Sequence, residues 1–289
     1  MPFNSPIVRK DLKVISRSMK FSWSLFAYEA VLALVFLITL SIASLGSRSY
    51  GSVRNNTDIY ESYVYFYPVI AVAQICIIAL IVPIITASAI SGEKERKTMD
   101  ILLTTSISPT QIILGKIFSA VIRVMIFVVA SIPLMAVSFV VGGLSWFTLL
   151  EYVVLTFFFA LFTGSIGILC SAICKKSITA IILSYVIYGG LYSIPFTGLY
   201  LCALFDWQDL ALNVSMLPLL FNPVMTFFNH FMGRLSSSDF SELFGQSGHG
   251  IWRVLYNKNV WTVVSVLCQL ALTVVMVVLA TRKIRPGKK

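Results

Sequence analysis

The sequence predicts an all-α membrane protein. Its six transmembrane helices are preceded by an amphipathic interfacial helix. A short cytoplasmic helix joins the second and third spans, and re-entrant helices of the outer leaflet join the fifth and sixth. Three observations carry this expectation. The chain is 58% hydrophobic and only 12% charged over 289 residues, about half the charge of an ordinary soluble domain. Its mean hydropathy of +0.89 comes from long unbroken apolar runs. Sixteen of its 22 Lys and Arg lie beside those runs on one side, against Arg48, Arg54, Arg234, Arg253 and Lys258 on the other and Arg123 within a span.

A hydrocarbon core of ~30 Å needs about 20 apolar residues per helix. Runs of that length lie at 23–46, 65–90, 117–141, 149–174, 178–203 and 259–281. They are continuously apolar and do not alternate, so they read as helices and not as barrel strands.

Orientation follows from the cations. Arg9, Lys10, Lys13, Arg17 and Lys20 precede the first span, and Lys94, Arg96, Lys97 and Lys116 lie between the second and third. Lys175 and Lys176 lie between the fourth and fifth, and Arg282, Lys283, Arg285, Lys288 and Lys289 follow the last. Basic residues close to a span resist translocation, so both termini are expected in the cytoplasm. The net charge of +10 is then a topology signal. Dispersal of the bases among four membrane-flanking sites argues against nucleic acid as a partner.

Segment 1–22 has its own pattern. Ser5 and Pro6 suit a helix start. Val8, Leu12, Ile15 and Met19 share one stripe, with Arg9, Lys13, Arg17 and Lys20 opposite. That is the pattern of a helix lying in the membrane interface among anionic headgroups. An ordinary cytoplasmic cap is the other reading. The segment is polar and basic and does not resemble a removable leader. The remaining residues, 23–289, form the spanning domain.

The loop 91–116 is the longest interior stretch rich in charge. Glu93/Lys97 and Arg96/Asp100 stand at the i,i+4 spacing that supports an exposed helix over Glu93–Leu103. Met99, Leu102 and Leu103 give that helix an apolar face, although a solvated loop fits the periodicity nearly as well. Ser108-Pro109-Thr110-Gln111 then reads as a capping box with proline at the first helical position. The third helix should therefore begin well before its membrane portion.

The run GEKERKTMDILLTTSISPTQIILGK resembles the signature loop of ABC-2 type transporter permeases, the membrane subunits of bacterial ABC transporters. Pro133, Gly142-Gly143, Ser171-Ala172 before Lys175-Lys176, and Ala180 with Ser184-Tyr185 extend the resemblance to the fifth span. It implies a permease subunit in the bacterial plasma membrane, paired with a second permease subunit of the same or a related chain. It also implies that the loop carries a coupling helix docked on a separate ABC ATPase subunit, which would bind ATP and Mg. By position, Glu93, Glu95, Arg96, Lys97, Met99, Asp100, Leu102 and Leu103 inherit the docking role. An exporter or extruder is the expected activity. A membrane subunit of an ATPase-linked signalling or assembly complex is the alternative.

The chain itself is not expected to be an enzyme or to hold a cofactor or metal. No GxxxxGK[ST] occurs, and no HExxH or GxSxG. Cys76, Cys170, Cys174, Cys202 and Cys268 form no CxxC pair.

Ionisable residues within spans are few, so each is a candidate for function. Glu29 and Arg123 lie at similar depth from the cytoplasmic side and suit an intramembrane ion pair. Separate snorkelling to the headgroups is the competing reading. Segment 204–258 holds an apolar stretch, Leu210–Met232, interrupted by Pro218 and Pro223. Helices dipping into the outer leaflet fit it better than a seventh span. Ala160, Gly164 and Gly167, and Gly189-Gly190, are small residues expected where helices approach closely.

Overall fold

The computed structural model describes residues 13, 18–48, 66–99, 108–142, 145–204, 217–235 and 257–284. Among them are eight α-helices and no strand. These are α1 (Met19–Arg48), α2 (Phe66–Glu95), α3 (Pro109–Ala130), α4 (Ile132–Gly142), α5 (Trp146–Ile173), α6 (Ser177–Leu204), α7 (Pro223–Leu235) and α8 (Lys258–Ile284). A 3₁₀ turn covers Leu217–Phe221. In its described residues, five of the six expected apolar runs each follow one helix, and the third falls on two. Of the described residues, α1, α2, α3, α5 and α8 are long and apolar enough to cross a membrane. Helix α6 has 28 residues, with a described apolar stretch over Ser177–Ser193. The expected interfacial helix lies outside the described residues, apart from Lys13 and the start of α1.

The third run is broken where one span was expected. Helix α3 stops at Ala130, and α4 begins at Ile132. Pro133 has no N–H to give to the carbonyl of Val129, which interrupts the ladder. Ser131 stands at the break, its N–H bonded to Phe127 O and its hydroxyl to Val128 O at 2.9 Å. Gln74 of α2 donates to Ser131 Oγ at 2.8 Å, and both side chains are fully buried. The start of α3 is as the sequence requires. Ser108 is the N-cap, Pro109 begins the helix, and Gln111 completes the capping box with the Ser108 N–H at 3.2 Å.

Helix α5 is the centre of the bundle and packs against α2, α3, α6 and α8. Its small residues explain how α2 comes so close. A Cβ at Gly167 would overlap the Thr86 side chain, lying 2.9 Å from Thr86 Cβ and 3.3 Å from the backbone nitrogen of Ala87. Gly164 faces the same Thr86. These glycines therefore serve an intrachain contact, whereas a Cβ at Gly189 would meet nothing within 4 Å. Helix α1 is peripheral: Tyr28 and Leu32 pack with Phe127 of α3, while Leu34, Leu37, Ile38 and Ile42 are exposed. An exposed apolar face of that length suits lipid rather than water.

Helix α7 has 13 residues, about 20 Å of rise, which is short of a ~30 Å core. Asn222 caps it, accepting from Val224 N at 3.0 Å and Met225 N at 3.4 Å, with Pro223 at the first helical position. Its beginning is tied to the middle of α8. Thr226 Oγ1 and Ser265 Oγ are 2.5 Å apart, and Gln269 Nε2 reaches both at 3.0 Å. Its far end lies beside the start of α5, where His230 Nε2 is 3.2 Å from Glu151 Oε2. Phe227 and Phe231 pack on Tyr152 between these points.

Candidate functional site

The last turn of α2 gathers the ends of three other helices, and each of its side chains goes to a different one. Glu93 Oε1 pairs with Lys116 Nζ of α3 at 2.8 Å, with both side chains largely sheltered. Lys94 reaches the C-terminus of α5, where its Nζ donates to the carbonyls of Ser171 at 3.3 Å, Ala172 at 2.5 Å and Cys174 at 3.2 Å. Three ammonium protons thus meet three carbonyls that the helix leaves without internal partners, at its negative end. Glu95 caps the opposite kind of terminus. Its Oε1 accepts the backbone N–H of Ser177 at 3.0 Å, and its Oε2 accepts the Ser177 hydroxyl at 2.8 Å, at the positive start of α6.

Ser171 reinforces the junction from α5. Its Oγ accepts from the backbone N–H of Ile90 at 2.9 Å and of Ser91 at 2.8 Å. The close approach of α2 and α5 at Gly164 and Gly167 lies about one to two turns from this contact. The end of α2 is therefore tied to α3, α5 and α6 by ionic or charge-assisted bonds, the stronger class of hydrogen bond.

Helix α2 then closes in a Schellman motif. Thr98 N–H bonds back to Glu93 O at 3.0 Å and Lys97 N–H to Lys94 O at 3.1 Å. Lys97 takes the left-handed conformation, φ 56°, that glycine usually supplies. The helix expected to continue over Glu93–Leu103 consequently ends at Glu95, and Arg96, Lys97 and Thr98 project as an exposed turn.

The expected site residues separate into three groups. Glu93 is sheltered against α3 and Glu95, although exposed, is held by Ser177 at the start of α6, and the Glu93/Lys97 pair gives way to Glu93–Lys116. Met99 is 7% exposed and belongs to the same core cluster as Ile90, Ile113, Ile117 and Ile284, so its side chain is not displayed to a partner. Arg96 and Lys97 are exposed. Asp100, Leu102 and Leu103 lie outside the described residues. In the spans, Glu29 Oε1 is buried with no hydrogen-bond partner, so the expected contact with Arg123 is not made through that atom. Among the described residues no cluster of His, Cys, Asp and Glu is arranged to hold a metal ion.

Reading the sequence missed Lys94, Lys116, Ser171 and Ser177 as parts of the site. The signal was present for two of them. A cation one turn from the end of a long apolar helix, and a serine directly after a Lys-Lys elbow, both suit the capping of a neighbouring helix end.

A search of curated proteins gives no match. The model of the family described as "ABC-2 family transporter protein" matches residues 5–284, nearly the whole chain. The helical bundle with its membrane-length apolar helices agrees with that match. The chain belongs to the ABC-2 transporter family, and is a multi-pass membrane domain of the ABC transporter type.

Proposed function

We propose that the chain is the permease subunit of an ATP-driven exporter, and that the junction at the end of α2 carries force from a separate ABC ATPase into the bundle. In this reading six spans cross the bacterial plasma membrane, α3 with α4 making the third and α6 the fifth. Both termini are cytoplasmic, and the 3₁₀ turn with α7 dips in from the outer side. A second permease subunit completes the pathway. ATP and Mg are bound by the ATPase, as the family relationship implies.

The observation that carries the reading is the geometry of α2. A short exposed turn, Arg96–Thr98, is fused to a helix end whose last three residues grip α3, α5 and α6. A push on that turn is delivered to three helices at once, because each grip is a charged contact at a helix terminus or first turns. The contact surface is then Arg96, Lys97 and Thr98, continuing into Asp100, Leu102 and Leu103. Glu93, Lys94 and Glu95 transmit, and Met99 anchors the loop to the bundle.

The test is affinity purification of the tagged full chain from its native membrane. Wild type should bring down an ATP-hydrolysing subunit. Arg96→Glu with Lys97→Glu should lose it while still inserting in the membrane. Equal recovery of the ATPase with the charge-reversed protein, or none with wild type, would reject the proposal.

A further inference from the structure

We propose that the elbow between α5 and α6, together with the end of α8, forms a binding site for the headgroup of an anionic phospholipid. The site rests on reading the long helices as membrane spans, and it does not require the ATPase.

Lys175 and Lys176 are exposed at the elbow, and Arg282 and Lys283 are exposed in the last turn of α8. Helices α5 and α8 pack together, and Ala172 near the end of α5 shares a core cluster with Ala280 and Ile284 of α8, while Lys94 stands beside the end of α5. Its Nζ holds the carbonyl of Cys174, next to Lys175, and its charge lies within electrostatic reach of Lys283. The elbow residues 174–178 and the end of α8 from Ala280 to Ile284 contain no acid. Among the described residues, Glu93 is paired with Lys116, while Glu95, held by Ser177, lies within electrostatic reach of Lys176 and offsets one of the four cations.

The apolar neighbours decide which anion fits. Ile173 and Ile178 flank the lysine pair and are 50% and 70% exposed. Val278 and Leu279 stand exposed one turn before Arg282. Cations set directly beside exposed branched side chains match a lipid, with phosphate at the headgroup level and acyl chains below it. An acidic protein surface would leave those isoleucines in water. The cations offer charge-assisted hydrogen bonds to the phosphate oxygens, and Arg282 offers a two-pronged one.

The experiment uses the purified full chain in neutral detergent, with native mass spectrometry and thermal unfolding as readouts. Phosphatidylglycerol, phosphatidylcholine or inorganic phosphate is added. Wild type should retain phosphatidylglycerol and unfold at a higher temperature with it, and should respond to neither of the others. Lys175→Gln, Lys176→Gln, Arg282→Gln and Lys283→Gln together should weaken retention roughly tenfold or more. If that variant does not fold, the two double variants should each show a partial loss. Arg96→Gln with Lys97→Gln, at the exposed turn after α2, should retain the lipid. Undiminished retention in the elbow variants, an equal loss in the Arg96/Lys97 control, or the same shift with inorganic phosphate would overturn the site. Loss of a co-purifying ATPase with full lipid retention would assign the patch to an acidic protein and overturn it equally.

Discussion

The carboxylate of Glu95 accepts both the backbone N–H and the hydroxyl of Ser177, at 3.0 and 2.8 Å, so the last residue of α2 caps the first turn of α6. A contact from outside the capped helix fixes the position of α6 relative to α2 as well as its end. Glu95→Ala and Ser177→Ala should each lower the thermal unfolding temperature in detergent. The double variant should lose less than the sum, because both substitutions remove the same pair of bonds. Additive losses would mean that the cap is not formed.

Lys97 occupies a left-handed position without being glycine. A side chain there costs on the order of 1–2 kcal/mol relative to glycine. Lys97→Gly should therefore stabilise the fold by up to about 1 kcal/mol, after the entropy that glycine adds to the unfolded chain is set against the relief. It should also weaken ATPase recovery, because it removes a cation from the exposed turn. A glycine variant less stable than wild type would place the end of α2 in another geometry.

Gly167 and Gly189 should respond in opposite ways. Gly167→Val forces α5 away from Thr86 and should cost roughly 1–3 kcal/mol or more, as overpacking does. Thr86→Ala should recover part of that loss. Gly189→Ala meets open space and should be neutral or stabilising by up to about 1 kcal/mol, since alanine is the better helix former. Equal destabilisation at the two sites would contradict the packing of α2 on α5.

Topology is tested by labelling. With the five native cysteines replaced, a cysteine at Asn257 should react with an impermeant thiol reagent applied to intact cells. One at Thr98, which is also exposed, should react only after the membrane is opened. Labelling of Thr98 in intact cells would invert the proposed orientation.

The helices were legible in the sequence because a span is defined by its length and polarity, which are local properties. Five of the six expected apolar runs each follow one helix, and the Ser108–Gln111 capping box is formed as its residues require. The break at Ser131 was less visible. Proline in a membrane helix is common, and its consequence depends on partners such as Gln74, which lies on another helix. The end of α2 misled for a definite reason. Helix ends are usually marked by glycine, and here lysine takes the left-handed position, so the pattern seemed to run on to Leu103. Glu93 and Glu95 were expected on an exposed helix that docks on the ATPase. Their partners are 23 to 82 residues away in sequence, and no local spacing reveals them. The burial of Met99 was hidden in the same way, since the cluster it joins is assembled from α2, α3, α4, α5, α7 and α8.

The most direct test of the account concerns Lys94, whose side chain joins α2 to the end of α5 and whose backbone carbonyl, left in place by substitution, holds the Lys97 N–H. The complex with its ATPase would be reconstituted in lipid nanodiscs, with a spin label at Asn257 at the far end of the bundle. In wild type, adding ATP and Mg should change the mobility or accessibility of that label. In Lys94→Gln, the ATPase should remain bound and continue to hydrolyse ATP, while the label no longer responds. Retention of the full wild-type response in Lys94→Gln would contradict the claim that the end of α2 carries the ATPase's motion into the membrane.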